Sequence, residues 1–170
     1  SELDSLVDLA ALAEAEIQRE LSTRETARLT AELVRLQEKA SIDTLTRNWT
    51  RDAILAFLER ETTLAAANAT PLAVVLIDVD RFKTINDTWG HLVGDDVLVA
   101  VSERIRQAVR PGDAVGRLGG DELVVVLPDC GTNEALAVAE RIRRRVADRA
   151  IETRAAPVPV TASLGVASYV

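Results

Sequence analysis

Two short apolar runs, residues 114–118 and 123–127, are joined by Gly119, Gly120, Asp121 and Glu122. No other stretch constrains the fold as much, because two such runs around a pair of glycines predict a β-hairpin. Glycine reaches positive φ without a Cβ clash, which a tight two-stranded turn requires. A tip without side chains lets a ligand phosphate approach the backbone, and adjacent acids there could hold a hard cation against it. A plain turn carrying solvated acids satisfies the same residues.

Regular alternation surrounds the hairpin. Residues 72–78 form a continuous apolar run that predicts a buried strand. Residues 94–109 predict a helix with Val97, Leu98, Val101, Ile105 and Ala108 on one face. Residues 133–150 predict another, with Leu136, Ala139, Ile142 and Val146 inward and an arginine-rich outer face. After Pro157 and Pro159, residues 160–167 predict a last strand. The order is βαββαβ, an α+β, ferredoxin-like core with helices on one face of an antiparallel sheet and the hairpin in its middle.

Ahead of this core, residues 51–67 predict a helix whose apolar face includes Ile54, Leu55 and Leu58. Residues 1–42 contain neither Gly nor Pro and predict one long helix. Its apolar series, Leu6 to Ile17 and Leu29 to Ala40, do not share one heptad frame. That pattern fits a coiled coil with a stutter, or a helix packed on its own domain; its length favours the coiled coil. The predicted organisation is a coiled-coil helix over 1–42 and a separate α+β domain over 43–170.

Asp78-Val79-Asp80 closes the first strand. In a βαββαβ sheet that strand lies near the hairpin, bringing Asp78 towards Asp121 and Glu122. Three converging carboxylates need a cation, and oxygen-only ligands suit Mg²⁺ or Mn²⁺, ions that commonly serve phosphoryl transfer. Asn86 offers a donor and an acceptor, and Asp95 can accept from a guanine N1–H and N2–H₂. Lys83 is one of two lysines, with Lys39; a phosphate contact and a solvated surface lysine both fit it. His91, the single histidine, suits either a nucleotide contact or a loop brace.

From Asp78 the chain reads Asp-x-Asp-x-Phe-Lys-x-x-Asn-Asp-x-x-Gly-His-x-x-Gly-Asp, followed by Gly-Gly-Asp-Glu, with Asp-x-Leu-Thr at residues 43–46. Over residues 41–170 this closely resembles the GGDEF family of diguanylate cyclases, a cyclase- and polymerase-palm-like fold. The resemblance implies condensation of two GTP to cyclic di-GMP, with release of pyrophosphate. It assigns Asp78, the Val79 carbonyl, Asp121 and Glu122 to a centre of two Mg²⁺ or Mn²⁺ ions. It makes Asp121 and Glu122 catalytic, with Asp121 a candidate acceptor of the attacking 3′-hydroxyl proton. Phe82, Lys83, Asn86, His91, Asp95, Gly119 and Gly120 become substrate contacts. Arg110 and Asp113 match the RxxD product-inhibition site; a Pro-Gly turn between ordinary charges is the other reading. One site holds one GTP, so the product implies a homodimer, paired through the coiled coil and governed by an upstream sensor domain. A catalytically inactive domain acting as a cyclic di-GMP receptor is the alternative.

Three departures qualify the resemblance. Leu123 replaces the family's phenylalanine, a GGDEL variant, and predicts a mild packing loss. Residues 47–51 break the usual Gly-Leu-x-Asn-Arg, although Arg51 is retained and could pair with Asp43. The sequence given stops at Val170, before the family's closing helix with its phosphate-binding lysine and arginine. Composition agrees with the rest. With 48% hydrophobic residues the chain can build one cored domain plus an extension. A net charge of −7 argues against binding a nucleic-acid polymer. No apolar run approaches the ~20 residues of a membrane span, and the lone Cys130 fits a reducing, cytoplasmic setting.

Overall fold

The structure, a computed structural model, describes residues 18–20, 22–26, 28 and 41–169. The chain divides into two units, 1–40 and 41–170. In the first unit the described residues are helical, and Arg24 donates to Glu20 one turn earlier at 3.4 Å. The expected coiled coil and its stutter otherwise fall outside the described residues.

The second unit runs α1 (Arg51–Asn68), β1 (Leu72–Val79), α2 (Phe82–Trp89), α3 (His91–Arg106), β2 (Ala114–Gly119), β3 (Glu122–Pro128), α4 (Thr132–Ala147) and β4 (Ala162–Tyr169). The sheet order is β2-β3-β1-β4, with every neighbouring pair antiparallel. From β1 onward this is the expected βαββαβ arrangement, with α2 added before α3. The hairpin is not central as a whole. Because β1 already pairs with both β3 and β4, only β3 is internal and β2 takes the edge. That edge is covered in turn: Trp49 N–H donates to the Val115 carbonyl at 2.9 Å, and Arg117 N–H to the Trp49 carbonyl at 2.8 Å. The pairing blunts an edge that would otherwise offer open hydrogen-bonding groups.

Alternation along the strands divides the core in two. Val75, Ile77, Val79, Val125 and Leu127 face α3 and α4, where Val97, Val101, Ile105, Ala139, Ile142 and Val146 close the main cluster. Val124, Val126, Leu72 and Ala114 face the opposite side, where Ile54 and Ala65 of α1 bury them. Helices therefore lie on both faces rather than one. At Gly116 an added Cβ would meet Ile54 side-chain atoms at 2.6 Å, so the missing side chain is what lets α1 approach β2 so closely. Leu123 is 1% exposed and packs in the main cluster, as its inward register requires. Burying a leucine this fully contributes about 1.5–3 kcal/mol.

Two side chains expected inside are exposed, Leu55 on α1 and Leu136 on α4. On α4 the buried stripe begins at Ala135, one position earlier, and continues through Ala139, Ile142 and Val146. The arginines of this region also have a structural use. Arg141 and Arg145 donate to the carbonyls of Ala108 and Gln107 just past α3, at 2.7 and 2.8 Å. Arg104 of α3 returns the contact to the carbonyls of Val146 and Arg149. Each helix end thus satisfies carbonyls that its own helix leaves unpaired.

Candidate active site

β1 and β3 are in register so that Asp78 stands directly opposite Glu122, while Ser163 of β4 flanks Asp78 on its other side. Like charges in directly opposed positions destabilise a sheet. The Asp78 carboxyl is accordingly pushed above the usual carboxylate range, first by desolvation and then by repulsion from Asp121, Glu122 and Asp80. A shift caused by burial together with specific like charges marks this strand end as a candidate functional site.

The hairpin tip is tighter than two glycines between strands. Gly119 ends β2 opposite Glu122, leaving Gly120 and Asp121 as the turn. Gly120 has φ of 51°, in the left-handed region, and an added Cβ there would meet nothing within 4 Å. The turn is thus open to an approaching ligand. Asp121 is anchored by its backbone, its carbonyl accepting from Val79 N–H at 3.4 Å. A cavity of about 360 Å³ opens beside the acids, lined by Leu76, Asp78, Leu118, Glu122, Ser163 and Gly165. Leu76, read from sequence as part of a buried strand, is 53% exposed in its wall.

Asp80 differs from Asp78. Its two carboxylate oxygens accept from the hydroxyls of Thr161 and Ser163, the latter at 2.7 Å, and these bonds hold its pKa below the usual range. Asp80 therefore clamps the β1–α2 turn to β4. Arg81 in that turn has φ of 56°. A non-glycine residue in the left-handed region stores about 1–2 kcal/mol of strain, and such residues cluster at functional sites.

Phe82 and Lys83 open α2, half-buried and exposed respectively. Asn86 lies in its last turns; His91 begins α3 and is exposed; Asp95 follows one turn later, half-buried. Gly94 brings α2 and α3 together. A Cβ at Gly94 would lie 1.9 Å from Asn86 Oδ1 and 3.2 Å from Phe82 Cζ. Asn86 Oδ1 is buried without a hydrogen-bond partner, an open acceptor in the place where the sequence predicts a base contact.

Arg110 and Asp113 come together, but chiefly with one another. Asp113 accepts from Arg110 N–H at 2.9 Å and from its Nε at 3.2 Å, while Arg110 Nη2 reaches the Pro128 carbonyl at 2.7 Å. Asp43 does not pair with Arg51. It accepts from Thr46 N–H at 2.8 Å, from the Thr46 hydroxyl at 2.7 Å, and from Arg117 at 3.3 Å. Arg117 also donates to the Gly120 carbonyl at 2.8 Å, which ties Asp43 to the hairpin tip. Sequence reasoning missed Arg117, Gly94, Thr161 and Ser163. Gly94 stands inside the quoted motif and Arg117 is a lone charge in the apolar run before the hairpin, so both carried a signal; the hydroxyls on β4 and just before it carried none.

An oxygen-only donor set whose members repel one another fits a hard divalent cation. Among the described residues, no three Asp, Glu, His or Cys side chains stand close enough to enclose one. Nor is any described helix long and apolar enough to cross a membrane.

The fold and site define a ferredoxin-like domain with a glycine-tipped, acidic hairpin set against the end of its first strand. The model of the family described as "Diguanylate cyclase, GGDEF domain" matches residues 40–170, and the chain belongs to that family. It is 46% identical over 110 residues to diguanylate cyclase DosC of Escherichia coli K12, an alignment covering 65% of this chain and 24% of that protein. With diguanylate cyclase A of Treponema denticola it shares 44% over 98 residues, covering 58% and 26%. The chain thus spans about a quarter of the length of these curated relatives. Among solved structures, the coiled coil and GGDEF domain of Caulobacter crescentus DgcB, in complex with c-di-GMP, superposes with a TM-score of 0.76 at 30% identity. That match covers 91% of this chain and 83% of the solved coiled-coil and GGDEF chain. Diguanylate cyclase SiaD of Pseudomonas aeruginosa, in complex with its activator SiaC, gives 0.74 at 30% identity, covering 98% and 66%.

Proposed function

We propose that this domain condenses two GTP into cyclic di-GMP across a homodimer. Each 3′-hydroxyl attacks the α-phosphorus of the facing nucleotide; one P–O bond forms, one breaks, and pyrophosphate leaves on each side. The observation carrying this reading is the opposition of Asp78 and Glu122 on paired strands, beside a glycine turn open to ligand.

Asp78, the Val79 carbonyl, Asp121 and Glu122 would hold two Mg²⁺ or Mn²⁺ ions, which supply charge neutralisation at the phosphates and polarise the attacking hydroxyl. Gly119 and Gly120 leave room for phosphate oxygens, and Lys83 with the first N–H groups of α2 offers them donors. Asn86 and Asp95 read the guanine edge; Phe82 and His91 border the nucleotide. Asp121 accepts the hydroxyl proton. Arg110 and Asp113 form the product brake. Because they are paired with each other, cyclic di-GMP must share or displace that contact, and arginine's planar fork suits a phosphate or guanine there.

Incubation of the intact protein with GTP and Mg²⁺, followed by chromatography, is expected to yield cyclic di-GMP and pyrophosphate. A demonstrably dimeric sample that makes none would overturn the reading, and dinucleotide binding without turnover would favour the receptor. Glu122→Gln is expected to abolish turnover with the fold intact; undiminished activity would refute the metal assignment.

A further inference from the structure

Helix α3 begins without a cap of its own. It is preceded by Gly90, at φ of 84°, which has no side chain to bond its first N–H groups. Such a helix end frays unless something outside holds it. One hold is the notch at Gly94, which admits Asn86 of α2. A second comes from far along the chain. Arg154 Nη2 donates to Asp96 Oδ1 at 2.8 Å, while its Nε and its backbone N–H both donate to Oδ2, at 2.9 and 3.0 Å. Pairing of a guanidinium with both oxygens is the strong and directional form of an ion pair.

Arg154 stands on a closed loop, residues 151–158. Ile151 and Val158 exchange backbone hydrogen bonds at its neck, at 2.8 and 2.9 Å, and both are buried in the main core cluster. Within the loop the Thr153 hydroxyl donates to the Ala156 carbonyl at 2.7 Å and accepts from Ala156 N–H at 3.2 Å. Exposed ion pairs contribute little when two mobile side chains must be ordered to make them. Here the loop is tied at its neck and again inside, so half-exposed Arg154 has less freedom left to lose.

The pair stands beside Asp95. The Arg154 pKa is raised above its usual range, first by the hydrogen bond to Asp96 and then by the charges of Asp96 and Asp95. The two acids are consecutive but differently employed. Asp96 has both oxygens occupied by Arg154, while no donor is bonded to the Asp95 carboxylate among the described residues. A bond that fixes the backbone at Asp96 fixes it at Asp95 as well.

We propose that Arg154 is a positioning residue for base recognition. By pinning Asp96 it fixes the opening turns of α3, and with them the direction in which Asp95 presents its carboxylate. It acts through Asp96 and need not touch the base. The inference rests on the assignment of Asp95 to the guanine edge and requires no turnover at Asp78 and Glu122.

Guanosine 5′-diphosphate (GDP) and inosine 5′-diphosphate (IDP) are the probes. Inosine lacks only the exocyclic N2 amine, and neither compound can release pyrophosphate, so binding is read without turnover. Calorimetric titration of the intact protein with Mg²⁺ is expected to show that the wild type prefers GDP. Arg154→Ala is expected to weaken GDP binding about fivefold and IDP binding far less, with Asp96→Ala doing the same. The double variant is expected to lose no more than either single one, because the two side chains act as one unit. Arg154→Lys, which keeps the charge without the fork, is expected to fall between wild type and Arg154→Ala. The proposal is overturned if folded Arg154→Ala keeps the wild-type preference, or if the two single losses add in the double variant. A wild type that binds both diphosphates equally would overturn it together with the guanine assignment. GTP turnover, assayed separately, tests the cyclase reading alone.

Discussion

Asp78 works against the stability of its own sheet. Its raised pKa means that ionisation costs folding energy, so this contribution is favourable below the ordinary carboxylate pKa and is lost as pH rises through the elevated folded value. Asp78→Asn is therefore expected to raise the metal-free melting temperature by about 1–3 °C while abolishing turnover; a lowered Tm would refute the repulsion. Gly94 acts in the opposite way, by absence. Gly94→Ala would press on Asn86 Oδ1, and we expect at least a tenfold weaker Kd for GTP with a native far-UV spectrum. Loss of discrimination against inosine triphosphate would accompany it; unchanged affinity would show that the notch does not position Asn86. At this scale the acids and the asparagine were legible, because their chemistry is carried in the residue type. Which carboxylate stays open was not. Asp78 and Asp80 are two positions apart in one motif, and only the hydroxyls of Thr161 and Ser163, about eighty residues later, separate their roles.

The hairpin is held from outside by Arg117, which joins Asp43 to the Gly120 carbonyl. Burial alone would raise the Asp43 pKa, but hydrogen bonds from Thr46 and the charge and hydrogen bond of Arg117 outweigh it and leave it lowered. A depressed carboxylate contributes stability above its unfolded pKa, and that contribution is lost as pH falls through the folded value. Asp43→Asn should thus cost stability at pH 7, on the order of 1 kcal/mol by urea titration, with the difference from wild type shrinking below about pH 4. A deficit that stays constant across that range would refute the charge-dependent link. The existence and type of most elements followed from periodicity, since the apolar stripe of α3 sits where the 3.6-residue repeat places it. Element α2 gave no such signal. Of its eight residues only Ile85 is fully buried, with Phe82 packed partly against the core, too few apolar positions to show a repeat. The inward face of α4 was misplaced by one position at its start, where Ala135 and Leu136 both satisfy the repeat and Leu136 is the more apolar.

At the scale of the molecule, one domain presents one hairpin, and under the proposed reaction joining two nucleotides needs a second copy. Specific activity is expected to rise with protein concentration until dimers saturate, tracking the dimer fraction from analytical ultracentrifugation; activity independent of concentration in a monomeric sample would refute the facing-site arrangement. Chain order, hairpin, acidic motifs and inward Leu123 were determined by sequence, because turn chemistry, periodicity and ligand chemistry are local properties of neighbouring residues. Tertiary structure decided that β2 is an edge, that α1 covers the second face through Gly116 and Ile54, and that Asp43 meets Arg117 rather than Arg51. It also decided that Arg154 closes on Asp96. Those outcomes depend on which distant segments compete for one edge, one face or one charge, and that competition is settled only when the whole chain packs.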